Sequence, residues 1–164
     1  MPEPPPLRPI LRTWFRMLGL TRQTPEAWHR ARLREELVER RRARTAFWPH
    51  VSETADVLFC VRRAQYDGYG AVGARLPSAV FRSPSGRLAT AYMLTKYTSR
   101  WAFYRVLVRL CGRPHLGREA KVVREVVNPA KDAKLAVVAA RHGIDAVAFV
   151  RMGQKLRKVW PFLP

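Results

Sequence analysis

Twenty-four consecutive residues, Leu88 to Cys111, contain no glycine, proline, aspartate or glutamate. The run is far longer than a strand, and Met93, Leu94, Tyr97, Trp101, Tyr104, Val108 and Cys111 recur in it at helical spacing, so it predicts one long α-helix. Phe103, Val106, Leu107 and Leu110 fall on its other sides, which requires cover on more than one face. Arg105 and Arg109 interrupt it as a membrane span, and no other segment offers 18 uncharged apolar residues. The remaining chain must supply helices to cover this one. The predicted fold is therefore all-α, a compact bundle of five to seven helices around a central apolar-aromatic helix, with a basic amphipathic extension at its N-terminus.

Local punctuation divides the rest. Residues 1–23 form a proline-rich opening followed by a basic amphipathic segment, in which Arg8, Arg12 and Arg16 recur every four residues opposite Ile10, Leu11, Trp14, Phe15 and Leu18. Residues 24–164 are expected to form a single helical domain. Thr24-Pro25-Glu26 reads as a helix start, with Thr24 as N-cap, opening a charged helix to about Phe47 that Leu33 and Leu37 dock and that Glu36 and Arg40 brace as an ion pair. Ser52 is the expected cap of a helix from Glu53 to Tyr66, stopped at Asp67-Gly68. A long loop follows, holding a short strand at Ala79-Val80-Phe81, with Ser83-Pro84-Ser85-Gly86 as a turn. Arg118 to Val127 suits a short helix better than a strand. Asn128-Pro129 opens a helix to His142, Gly143 closes it, and Asp145 caps a last helix to about Trp160, with Phe149, Met152, Leu156 and Trp160 inward and Arg151, Lys155 and Lys158 on another side.

Charge is the main functional clue. Thirty-one Lys and Arg stand against twelve Asp and Glu, a net +19 that calls for a polyanionic partner. From Gly68 to Gly117 there is no acid at all, while Arg75, Arg82, Arg87, Lys96, Arg100, Arg105, Arg109 and Arg113 all fall there, with Tyr69, Tyr92, Tyr97 and Trp101 of a type that stacks on bases or packs in a core. Ala139, Gly143 and Phe149 match the spacing of a helix-turn-helix, and equally that of a helical hairpin with a basic outside. Neither the four histidines nor Cys60 and Cys111 form a pair at metal-ligand spacing, and Glu53 with Asp56 reads as a dipole-compensating pair near a helix start. No catalytic signature is present, so the expectation is a protein without catalysis, cofactor or metal; an enzyme assembled from scattered residues is a third class.

The segments Val51-Ser52-Glu53-Thr54-Ala55-Asp56, Arg124 to Asp132, and Leu156-Arg157-Lys158-Val159-Trp160-Pro161 resemble small basic helical proteins of filamentous fungi, a group that carries no assigned activity, cofactor or site residues. The resemblance implies a eukaryotic organelle as the address. The Arg-rich, acid-poor opening reads as a mitochondrial transit segment, a helix packed on its own domain or one lying on an anionic membrane; Arg40 to Arg44 offers a nuclear alternative. The favoured reading is binding of structured RNA through backbone phosphates by Arg100, Arg105, Arg109, Arg113, Arg151, Lys155 and Lys158, in a mitochondrial ribonucleoprotein. The alternative is a scaffold meeting a protein or membrane surface through Arg8, Arg12, Trp14, Phe15, Arg16 and the charged helix after them.

Overall fold

The computed structural model describes residues 7–20, 22–73, 76–77, 79–113 and 132–160. Among these there are seven α-helices and one 3-10 turn, and no strand, so the chain is all-α: α1 (Pro9–Leu18), α2 (Glu26–Arg42), the 3-10 turn (Ala43–Thr45), α3 (Phe47–Tyr66), α4 (Ala79–Arg82), α5 (Pro84–Leu110), α6 (Asp132–Arg141) and α7 (Ala146–Val159). The expected strand at Ala79–Phe81 is a helical turn instead. The segments read as a helix over Arg118–Val127 and as the Asn128-Pro129 start lie outside the described residues.

The chain partitions into two compact units where residues 24–164 were expected to form one. The first comprises Met1–Phe15 and Arg22–Leu94, the second Arg16–Thr21 and Thr95–Pro164. The length of α5 is the physical reason: 27 residues at 1.5 Å each span about 40 Å, more than one small core covers. Its first half buries Ala89 and Met93, and its second buries Phe103, Tyr104, Leu107 and Val108.

In the first unit α2 and α3 run antiparallel. Near the corner, Arg40 Nε donates to Thr54 Oγ1 at 2.9 Å; at the far end His29 Nε2 lies 3.3 Å from Asp67 Oδ2. Between them Leu33 packs with Val57, Val61, Ala64 and Val72. The pair expected between Glu36 and Arg40 is not made, because Arg40 turns to α3 and Glu36 pairs with Arg32 one turn earlier. Two helix starts also differ from expectation. Thr24 provides no cap, since Pro25 occupies that position without a side-chain hydrogen bond. α3 begins at Phe47, five residues before Ser52, because Pro49 falls in its first turn, where a missing N–H costs nothing.

α1 as far as Phe15 belongs to this core. Phe15 is wholly buried, stacking on Tyr66 with centroids 5.1 Å apart and touching Phe59 at 5.8 Å, while Leu7 and Leu11 are also buried. Of the readings open for this segment, packing on its own domain is the arrangement observed.

The second unit is built on three helices. Phe103, Tyr104, Leu107 and Val108 of α5, Leu135, Val138 and Ala139 of α6, and Ile144 and Phe149 form one buried cluster, closed by Met152, Leu156 and Trp160. The Trp160 indole N–H donates to Ser99 Oγ at 2.9 Å, which ties the end of the last helix to α5.

Candidate nucleic-acid interface

The α6–α7 connection decides between the two architectures its spacing allowed. Ala139 and Phe149 are fully buried, and Gly143 has φ +63°, the left-handed turn that glycine makes without strain. The helices then stay together along their length. Asp132, the first residue of α6, accepts hydrogen bonds from Gln154 Nε2 at 2.7 Å and from Arg157. Leu135 Cδ1 lies only 2.6 Å from where a Cβ on Gly153 would stand. By helical rise Asp132 is about 14 Å and Arg157 about 16 Å from the turn, so arms crossing near 90–120° would leave them some 20 Å apart. They are hydrogen-bonded, so the element is an antiparallel hairpin, and the groove-reading helix-turn-helix is set aside.

The hairpin fixes which side of α7 faces water. Phe149 and Gly153 are buried, and Met152, Leu156 and Trp160 pack on the cluster, so the opposite face carries Arg151, Lys155 and Lys158, all exposed. At i, i+4 and i+7 these three lie within about 60° of one another around the helix. None of the three makes an ion pair among the described residues. Both acids of this unit among the described residues are engaged elsewhere. Asp145 Oδ1 accepts from Ala148 N–H at 2.7 Å and caps α7 as expected. Asp132 is held by Gln154 and Arg157, whose hydrogen bonds keep its carboxyl below the ordinary range. Over its whole sequence this unit has sixteen Lys and Arg against four Asp and Glu.

The arginines of α5 divide. Arg109 and Arg113 are exposed, and Arg105 is half-buried with its guanidinium 4.6 Å over the Trp101 ring. Arg100 is on the packed side, 8 % exposed, stacked on Tyr97 with its Nε unbonded, so it is withdrawn from the phosphate-contacting set. The helical wheel carried that signal, since five residues place Arg105 about 140° round from Arg100. Trp101, Tyr97 and Tyr69 are each half-buried with an arginine of the chain itself over the ring, Arg22 in the case of Tyr69.

Two polar clusters in the first unit join more than one element, so the sequence showed them only in part, as in the pair Glu53 and Asp56. Asp67, buried at the end of α3, accepts from Gln23 N–H at 3.0 Å and Arg63 Nε at 3.1 Å, with His29 beside it. Burial drives the His29 pKa down, against the pull of Asp67 upward. On the other side, Glu36, Glu53 and Asp56 bring one carboxylate oxygen each to within 4.8 Å of the others. Glu53 and Asp56 sit well inside α3 instead of at a helix start, so they are not dipole partners. Burial, opposed by Arg32 and reinforced by Asp56, Glu39 and Glu53, pushes Glu36 up to about 7. Arg32 already meets the charge of Glu36, and the trio is assigned no metal. Burial, reinforced by Glu36, raises the Cys60 thiol too, which makes it a poor nucleophile.

The residues of the scaffold alternative are likewise separated. Arg8, Arg12 and Arg16 are exposed, Trp14 is half-buried, and Phe15 is inaccessible to any partner. Comparison of the chain with protein-family models, curated proteins and solved structures returned no match.

Proposed function

We propose that this protein binds structured RNA without catalysis, by contact of its second unit with backbone phosphates. The reading rests on one observation, the exposed row of Arg151, Lys155 and Lys158 along α7, which makes no ion pair among the described residues. Arg105, Arg109 and Arg113 extend the cationic set, and Arg157 serves the fold by holding Asp132. A row of cations along one helix face suits contact with a duplex backbone. A mitochondrial ribonucleoprotein is the proposed setting.

Fluorescence anisotropy against a hairpin RNA across a salt series tests this. The wild type is expected to lose affinity steeply with salt. Replacing Arg151, Lys155 and Lys158 by Gln together should lower the log-log slope by about 2 to 3, at roughly 0.7 to 0.9 per phosphate contact. A flat salt response, or a triple variant that binds like the wild type, overturns the proposal.

A further inference from the structure

The corner between α2 and α3 carries a second surface that RNA binding by α7 does not use. Phe47 is 63 % exposed and Trp48 62 %, with ring centroids 5.1 Å apart and planes at 73°. The whole stretch from Arg44 to Pro49 is exposed, as are Arg41 and Arg42. No acid occurs between Glu39 and Glu53, and Arg41, Arg42 and Arg44 form no ion pair among the described residues. The backbone explains the placement. The 3-10 turn closes α2, Ala46 is extended at φ −122° and ψ 125°, and the two aromatic residues then open α3 at the end of the hairpin.

Two large aromatic side chains held side by side in water are costly unless something covers them, and three unneutralised arginines beside them specify an anionic cover. We propose that this apex docks on an anionic lipid bilayer, with Phe47 and Trp48 entering the interface and Arg41, Arg42 and Arg44 meeting lipid phosphates. Its position at the end of a helical hairpin suits a surface that receives a tip. The angle between the rings argues against unpaired nucleotides as the cover, because successive bases stack in parallel and could use only one of two rings set so far apart in plane. A bilayer interface imposes no such requirement, and cations beside aromatic residues match its headgroup level. α1 cannot take this role, since its apolar side is spent on the core.

Flotation of the full chain with phosphatidylcholine vesicles, with and without phosphatidylserine, tests the assignment. Binding is expected only where phosphatidylserine is present. The pair Phe47→Ser with Trp48→Ser should abolish it while leaving helicity by circular dichroism and hairpin-RNA affinity unchanged. The triple Arg41→Gln, Arg42→Gln, Arg44→Gln should weaken it roughly a hundredfold, from the contribution of each cation near an anionic surface. Absence of wild-type flotation overturns the proposal. So does serine-variant binding equal to wild type, or a loss in that variant of affinity for a single-stranded RNA instead of vesicles. The RNA reading stands or falls on α7 alone, so the two failures are distinguishable.

Discussion

Single residues in the first unit set its response to pH and its tolerance of substitution. Glu36 has a folded-state pKa raised from an ordinary 4.5 to about 7. The folded chain therefore keeps a proton that the unfolded chain has released, and stability is full below pH 4.5 and lost as pH rises through 7. The loss is on the order of 3 kcal/mol once both states are ionised. Glu36→Gln should flatten this slope, matching the wild type near pH 5 and exceeding it at pH 8 in urea midpoints. His29 works in the other direction: with its folded pKa lowered from 6.5, its neutral form is fully compatible with folding above that value, and stability falls as pH drops below it. The turn after α3 is equally exacting. Gly73 has φ +86°, and a Cβ there would stand 2.7 Å from the branched and stiff Val61. Gly73→Ala is expected to cost about 3 kcal/mol, read as a shift in urea midpoint, by combining a strained backbone with overpacking.

Helices α1 and α7 show how a single element is assigned by what lies behind it. On sequence both are short basic amphipathic helices, but α1 spends its apolar side on Phe59 and Tyr66. Phe15→Ala should therefore destabilise the chain by about 4 kcal/mol, a loss measurable by thermal or urea unfolding, because it empties a fully buried site. A dispensable leader would leave stability unchanged. In α7 the apolar side was legible from period alone and its start from Asp145, whose cap is a local interaction of three residues. Ser83-Pro84 carried a similar local signal: Ser83 Oγ accepts the Gly86 N–H at 3.0 Å, making the supposed turn the N-cap of α5. Taking Ser52 as the cap and running the preceding helix to about Phe47 hid the true start of α3, and with it the position of Phe47 and Trp48 at the apex.

At the scale of the molecule, +19 of net charge must be carried by a fold whose second unit has few acids. Self-repulsion of this kind is screened by salt, so the melting temperature should rise as sodium chloride increases from low concentration to about 0.5 M, by calorimetry. A melting temperature that falls over that range would mean that ion pairs outweigh the repulsion. The partition into two units follows from the same accounting of surface, since each half of α5 needs its own apolar cover.

Helical period, caps and the sign of the charge are properties of neighbours along the chain, and they determined the all-α architecture, the inward face of α7 and the excess of cations. Which cations are usable is a property of neighbours in space. Only the packed structure placed Arg100 on a buried side, drew Glu36, Glu53 and Asp56 together across two helices, closed α6 and α7 into an antiparallel hairpin, and left two aromatic rings bare at a corner. A sequence period records that a helix has two sides. It does not record what comes to rest against each one.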